Sequence, residues 1–142
     1  MSISCEIVSQ DRIVFQGDVD MVVLPGAAGE MGILPRHSPL LTALKYGVIT
    51  VRSNDREQFF TVAGGVAEVL PDHVTVLADA AENVTEIDIE RAEAARKRAE
   101  ELLQKGPGVD TDQYLAARAA LHRSTLRLDA VRRYRQGRQR RG

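Results

Sequence analysis

Residues 74–104 read VTVLADAAENVTEIDIERAEAARKRAEELLQ, and two structural periods meet inside this stretch. The run Val74–Ala78 has the alternation of a strand with one buried face. From Asp88 to Gln104 there is no Gly or Pro, and Ala, Glu, Arg and Lys dominate, which favours an α-helix. The change near Thr85 therefore predicts a part built of strands followed by a helical part.

Five runs upstream of this stretch also have the period of a strand: Ile3–Ile7, Asp18–Val23, Val48–Ser53, Phe59–Ala63 and Val66–Leu70. Turn residues separate the runs, namely Gly17, Pro25-Gly26, Gly47, Asn54-Asp55, Gly64-Gly65 and Pro71-Asp72. Turns at this spacing favour an antiparallel sandwich or barrel. We therefore expect an N-terminal antiparallel β-sandwich over residues 1–84.

The helical part has the pattern of two antiparallel helices joined by a short loop. Thr85 and Asp88 resemble a capping box for the first helix, and Gly106-Pro107-Gly108 breaks it. Asp110 or Thr111 can cap a second helix that runs to about Arg135. We expect this hairpin to occupy residues 85–142, which gives an α+β fold.

Alanine dominates the apolar stripe of the expected hairpin. The stripe residues are Ala92, Ala95, Ala99 and Leu102 on the first helix and Ala117, Leu121, Leu128 and Val131 on the second. Because alanine buries little area, at ~25 cal/mol per Å² such a seam stabilises much less than one of leucines. We expect a weakly docked element whose conformation a ligand or partner can change.

Composition excludes disulfide-rich scaffolds and membrane-spanning proteins. The 142 residues include 19 basic and 20 acidic side chains, a single cysteine, and no apolar run long enough to span a bilayer. No cationic-then-apolar leader opens the chain, so we expect neither secretion nor organelle import. The charge is uneven, since residues 1–85 carry a net charge of −6 and residues 86–142 a net charge of +5. Such a split suggests two parts with different partners.

No catalytic or metal-binding constellation stands out. Cys5 lies in an alternating strand, which indicates a buried structural thiol, and no nucleophile elbow frames a serine. His37, His73 and His122 are not at the spacing of metal ligands. The glycine-rich run 26–32 lacks the Lys-Ser/Thr of a phosphate loop and indicates a tight connection with positive φ. We therefore expect no catalytic residue, no metal and no obligatory cofactor.

Residues 29–44 read GEMGILPRHSPLLTAL, and this run resembles the signature loop of the epsilon subunit of F-type ATP synthases. Gly47-Val48-Ile49 and the expected hairpin Gly64-Gly65-Val66-x-Glu68-Val69 follow as in that family. The resemblance extends over essentially the whole chain. The length of the chain and the missing transit peptide resemble bacterial members, and a chloroplast-encoded counterpart is the open alternative. The resemblance implies a non-catalytic rotor subunit of a proton-translocating complex on the cytoplasmic face of the bacterial cell membrane.

The resemblance also implies partners for the sandwich: the gamma subunit and the polar loops of the c-ring. The contact residues that it implies are Gly29, Glu30, Gly32, Pro35, His37 and Pro39. Without the resemblance, the favoured interpretation of Glu30 is an ordinary exposed loop carboxylate.

Ile87-Asp88-Ile89-Glu90-Arg91-Ala92 matches the Ile/Leu-Asp-x-x-Arg-Ala pattern of epsilon subunits that bind ATP in the hairpin. The ATP-binding residues implied by this match are Glu82, Ile87, Asp88, Arg91, Ala92, Arg98, Arg123 and Arg127. Arginines four or seven apart share a helix face, and converging guanidiniums suit phosphate. The plainer interpretation is that Asp88 caps a helix and the arginines lie on a solvated face. An ATP bound there would be regulatory.

The C-terminal run RRYRQGRQRR (residues 132–141) is strongly basic. Alone, it is typical of a surface that binds nucleic acid or an acidic protein, so a free-standing sandwich with a basic arm is the alternative function. The family resemblance instead implies that Arg132, Arg133 and Arg135 meet acidic segments of the alpha/beta catalytic head. In that case the extended helices block ATP hydrolysis, and no nucleic acid is bound.

Overall fold

The computed structural model describes residues 1–106 and 111–135, and the chain divides into two compact units, Met1–Val84 and Thr85–Gly142. The strands of the first unit are β1 (Ile3–Ser9), β2 (Arg12–Val19), β3 (Met21–Gly26), β4 (Gly29–Ile33), β5 (Leu40–Ser53), β6 (Arg56–Val69), β7 (His73–Ala78) and β8 (Ala81–Asn83). A 3₁₀ turn (Val84–Glu86), α1 (Ile89–Gln104), α2 (Thr111–Ala130) and a π-helical turn (Val131–Arg135) complete the described chain.

The strands form the predicted sandwich because two long strands take part in both layers. The hydrogen-bonded order is β2-β1-β7-β6-β5-β3-β4, and β8 pairs with β6 off this path. Residues 65–69 of β6 pair with β7, whereas its residues 60–62 pair with β8. The inward-facing side chains of β1 are Ile3, Cys5 and Ile7. They share one core with Phe60 and Val62 of β6. The α+β prediction is confirmed.

One strand pair differs from the expected antiparallel arrangement. β1 and β7 run parallel, with Ser4 opposite His73 and Val8 opposite Leu77. Parallel neighbours need a long connection, and here the intervening strands β2–β6 supply it. Alternation of apolar residues reports the buried face of a strand but not its direction.

Four glycines expected at turns lie inside strands instead, and the first of them, Gly17, is within β2 opposite Cys5 of β1. Gly47 is within β5, and a Cβ there would lie 2.7 Å from Pro25 Cβ. Gly64 and Gly65 are within β6 with φ of 90° and 138°. A Cβ at Gly65 would meet the backbone of Leu77 and Ala78 in β7. The last three glycines permit close approach within the sheet, so the expected hairpin at Gly64-Gly65 is wrong.

Two other boundaries also differ from the sequence prediction. The run Asp18–Val23 is split at Asp20, whose N–H donates to the Arg52 carbonyl (2.7 Å) between β2 and β3. The glycine-rich run 26–32 is a connection only at Ala27-Ala28, because Gly29 already begins β4. Gly29 has the expected positive φ, of 142°.

The helices α1 and α2 pack as the predicted hairpin through small side chains. Ala92 and Ala99 are buried on α1, and Ala117 and Ser124 are buried on α2. Both pairs are seven residues apart, which is the spacing that keeps a seam aligned between two helices. Leu102, expected in this seam, is 44% exposed and belongs to the solvent side.

The ends of α1 are set by local hydrogen bonds. Asp88 is the N-cap, and its Oδ1 accepts from the Arg91 N–H (3.1 Å), so the cap is Asp88 rather than the predicted Thr85 box. At the other end Gly106 has φ of 82°, which ends the helix as predicted. Thr111 begins α2. Pro107, Gly108 and Asp110 lie outside the described residues.

Candidate functional site

The structure separates the predicted c-ring and gamma contact residues into two groups. Gly29, Glu30 and Gly32 lie on β4, whereas Pro35, His37 and Pro39 lie in the loop between β4 and β5. A strand rises by about 3.3 Å per residue, so β4 places its first and last residues about 13 Å apart. Glu30 is exposed beside the β3–β4 turn, and His37 is half-buried beyond the other end of β4.

The loop that holds His37 is ordered by hydrogen bonds. Arg36 adopts φ of 68°, and its N–H donates to the Pro71 carbonyl (2.8 Å). The His37 N–H donates to the Leu34 carbonyl (3.2 Å), and its Nδ1 donates to the Ser38 carbonyl (2.7 Å). A residue other than glycine keeps a positive φ only where surrounding contacts hold the backbone in that conformation. The loop therefore presents a fixed surface.

A second surface was missed by the sequence analysis. One row of outward-facing side chains, paired from strand to strand across β2, β1, β7, β6 and β5, is wholly apolar. We call this row the apolar strip, and its residues are Ile13, Val8, Leu77, Val66 and Ala43. Ile13, Leu77 and Val66 are 56%, 58% and 42% exposed. The strip is about 19 Å long, because it crosses four inter-strand steps of about 4.8 Å.

The row next to the apolar strip is acidic. Glu68 pairs with Thr75, and Thr75 pairs with Glu6, so two carboxylates lie one row from Val66 and Val8 on the same sheet face. Exposed apolar side chains that form one contiguous row are a candidate interaction surface. Each 100 Å² of apolar surface buried there would contribute about 2.5 kcal/mol before the costs of association. A partner complementary to this face would be apolar with flanking basic residues.

The implied ATP-binding residues are distributed over both units. Glu82 lies in β8, opposite Thr61 of β6, and the other seven residues lie in the helical unit. On α1, Ala92 is buried whereas Arg91 and Arg98 are exposed and about 10 Å apart along the axis. Ile87, just before α1, is buried and next to the capping Asp88.

Arg123 and Arg127 are half-buried on α2, one helical turn apart, and they flank the buried Ser124. The Ser124 hydroxyl donates to the Ala120 carbonyl (2.8 Å) within its own helix. Whether these arginines bind ATP together with Arg91 stays a prediction.

The predicted basic tail begins in the π-helical turn. Arg132 Nη2 donates to Asp129 Oδ1 (2.7 Å), and the Arg133 guanidinium lies over the Tyr134 ring (5.3 Å to its centre). Arg135 ends the turn, and residues 136–142 lie outside the described part. The two described guanidiniums are exposed, and their local contacts are replaceable by an acidic partner.

Within residues 1–106 and 111–135, no three His, Cys, Asp or Glu side chains are placed to hold a metal ion together. Over the same ranges, no helix combines the length and the apolar character that crossing a membrane requires. Cys5 is buried, and burial raises the pKa of its thiol from 9.0 to about 12, so it is a poor nucleophile.

Comparison with known proteins gives one consistent family. Residues 2–84 match the family described as ATP synthase, Delta/Epsilon chain, beta-sandwich domain. Residues 85–132 match ATP synthase, Delta/Epsilon chain, long alpha-helix domain. The ATP synthase epsilon chain of Desulforamulus reducens is 44% identical over 127 residues, covering 89% of this chain and 94% of its own. That of Syntrophobacter fumaroxidans is 46% identical over 126 residues, covering 89% and 92%.

The fold is also found in a solved structure. A chain of the mitochondrial ATP synthase OSCP/F1/c-ring assembly of Euglena gracilis superposes with a TM-score of 0.78 at 23% identity, covering 92% of this chain and 81% of its own. At that identity the likeness supports the fold alone. The family matches and the curated relatives confirm the resemblance, and they do not favour a free-standing nucleic-acid module. The chain belongs to the ATP synthase delta/epsilon chain family, as an epsilon chain, a non-catalytic subunit of ATP synthase.

Proposed function

We propose that this chain couples rotation of the c-ring to the catalytic head of a proton-translocating ATP synthase by binding the gamma subunit. The apolar strip carries the proposal, because it is a contiguous row of exposed apolar side chains across five strands. Its acidic neighbours Glu6 and Glu68 suit a partner with basic flanks. Gamma is the partner that the family resemblance implies for the sandwich.

The c-ring contact is assigned to the β3–β4 turn end of the sandwich. Ala27, Ala28 and Glu30 are exposed there, and Glu30 offers a carboxylate to polar loops of the ring. The Pro35–Pro39 loop lies at the far end of β4, so it contacts a different part of the stalk.

We propose that the helical unit regulates ATP hydrolysis by changing between a folded and an extended hairpin. Its seam of Ala92, Ala99, Ala117 and Ser124 buries little area, which keeps the two forms close in free energy. In the extended form, Arg132 and Arg133 would meet acidic segments of the alpha/beta head. ATP would act as a regulatory ligand that stabilises the folded form, provided that it binds this form more tightly.

The proposed ATP site uses Arg91, Arg98, Arg123 and Arg127 for the phosphates. Arginine suits this role because each guanidinium presents a fork of N–H donors to phosphate oxygens. Asp88 already serves as the N-cap of α1, so its contribution would be to fix the first turn that carries Arg91. The chain would reach the cytoplasmic face of the bacterial cell membrane only through the assembled complex.

Co-purification from native membranes tests the docking proposal. Leu77→Glu places a charge in the centre of the apolar strip and should abolish retention of gamma by the tagged full chain. Leu115→Glu is the matched control, because Leu115 is 54% exposed on α2 and Leu77 is 58% exposed. Retention of gamma by the Leu77 variant at the level of the control would refute the strip as the docking surface.

Removal of the helical unit tests the regulatory proposal. A chain ending at Val84 keeps the compact sandwich and should still assemble, while ATP hydrolysis by the complex should rise. An assembled complex whose hydrolysis rate is unchanged would contradict the inhibitory role and leave the docking proposal intact.

A further inference from the structure

Arg36 has a backbone conformation that its residue type does not favour. Among residues 1–106 and 111–135, three residues other than glycine have a positive φ, namely Arg36, Asn54 and Asp55. Asn54 and Asp55 form the two-residue turn between β5 and β6, where these residue types are usual. Glycine would adopt the conformation of Arg36 without steric cost, whereas arginine does not. A strained residue that is retained points to a role for its side chain.

The loop holds the Arg36 backbone in place and leaves its guanidinium available. The Arg36 N–H donates to the Pro71 carbonyl (2.8 Å), which ties the loop to the turn between β6 and β7. The Arg36 side chain is exposed, and in the part of the chain that the structure describes it makes no hydrogen bond or ion pair. Residues 1–85 carry five basic side chains and eleven acidic ones, so this is a rare exposed cation in an acidic unit.

Exposed leucines lie close to Arg36 along the chain. Leu34 is 57% exposed in the same loop, and Leu41 is 71% exposed at the start of β5. Leu41 precedes Ala43 of the apolar strip by two residues, so it faces the same side of β5 at a distance of about 7 Å. The apolar strip therefore continues through Leu41 towards the loop that carries Arg36.

We propose that Arg36 binds a carboxylate of gamma and thereby determines the orientation in which gamma docks. This inference rests on the proposed function, because gamma is the partner assigned to the apolar strip. Glu6 and Glu68 beside the strip require basic groups on gamma, whereas Arg36 requires an acidic one. The charges match in one orientation and oppose each other in the reversed one. Two N–H groups of the guanidinium donate to the carboxylate oxygens, and Leu34 and Leu41 help to exclude water from the contact.

Affinity for gamma tests the assignment. The tagged full chain is immobilised, and biolayer interferometry measures its binding to the head-and-stalk complex from which this chain has been removed. Arg36→Gly should weaken binding about tenfold, which corresponds to the loss of one charge-assisted contact. Arg36→Lys should weaken it less, and Arg36→Glu should weaken it more than Arg36→Gly. Arg56→Glu is the matched control, because it makes the same change of charge at an exposed position of β6 and should leave the affinity unchanged.

Stability separates the contact from a folding defect. Arg36→Gly should raise the urea midpoint by roughly 0.7 M while it weakens binding of gamma, whereas damage to the fold would lower both. A lowered midpoint, unchanged or tighter binding by Arg36→Glu, or equal weakening by Arg56→Glu would each overturn the inference. If Arg36→Glu binds normally and Leu77→Glu does not, the apolar strip remains the docking surface and only the role of Arg36 fails. If neither variant weakens binding, the docking proposal fails as well.

Discussion

Gly65→Ala should destabilise the sandwich far more than Gly29→Ala, although the two glycines have nearly the same positive φ. Their φ values are 138° and 142°, so an added methyl group introduces similar strain of about 1–3 kcal/mol at each position. At Gly29 no described heavy atom lies within 4 Å of the new Cβ. At Gly65 the Cβ would lie 2.8 Å from Ala78 Cα and would also meet the Leu77 carbonyl, so β6 and β7 must separate.

The difference between the two variants isolates this contact. Overpacking costs a further 1–3 kcal/mol or so, because the opposing atoms are backbone and cannot move aside as a side chain would. Urea unfolding, followed by the methyl resonances of buried valines such as Val62 and Val76, reports the sandwich separately from the helices. With an m-value of about 1.5 kcal/mol per M, a 2 kcal/mol difference lowers the midpoint by about 1.3 M.

Equal midpoints for the two variants would refute this reasoning. They would show that backbone conformation alone requires glycine at position 65 and that β6 does not approach β7 as closely as described. A decrease in the m-value of the Gly65 variant, with its midpoint unchanged, would indicate a change in the compactness of the unfolded or native state and would equally contradict the contact.

Three further changes have defined outcomes. Arg36→Gly should raise the free energy of unfolding, measured by urea denaturation, by about 1 kcal/mol, because Arg36 has φ of 68°. Arg56→Gly is the control, and it should lower the free energy of unfolding because Arg56 lies in an extended strand. Destabilisation by Arg36→Gly would show that the arginine side chain stabilises the loop. Asp88→Ala should cost about 1 kcal/mol of helix stability, and Asp88→Asn should cost almost nothing, as followed by thermal circular dichroism; equal losses would exclude the cap. Because burial raises the pKa of Cys5, the folded state binds this proton more tightly, so the contribution of Cys5 to the free energy of unfolding should be constant below pH 9 and decrease from there towards pH 12; urea unfolding of the chain and of Cys5→Ala at several pH values should differ by this contribution.

The part of the fold that follows from local pattern could be predicted from the sequence. Alternation in Ile3–Ile7 and Val74–Ala78 identified strands, and the switch of period near Thr85 identified the start of the helical unit. The roles of Gly47, Gly64 and Gly65 could not be predicted in this way. A glycine that ends a strand and a glycine that lets another chain segment approach look the same in one sequence, because the approaching backbone is distant along the chain.

The apolar strip shows why an interaction surface is harder to predict than a core. Val8, Ile13, Val66 and Leu77 come from four strands, and each alone is an ordinary exposed apolar residue. Only the register between the strands aligns them into one row. The sequence indicates that each of these residues occupies an outward position of its strand. It does not indicate which strands pair, and the pairing is what brings the four side chains together.

The motif Ile87-Asp88-x-x-Arg91-Ala92 has a sufficient structural role in the folded hairpin. Ile87 and Ala92 are buried, and Asp88 caps the first turn through the Arg91 N–H. Helix formation therefore explains three of the four residues without any nucleotide, and only the exposed Arg91 guanidinium requires another reason. A match to the motif therefore follows from helix formation as well as from ATP binding, and variants must separate the two. Since Asn caps as well as Asp, Asp88→Asn keeps the helix and removes the charge, and Arg91→Lys keeps the charge and removes the fork. A loss of ATP affinity in these two variants, with the helix intact, would assign the motif to the nucleotide rather than to the fold.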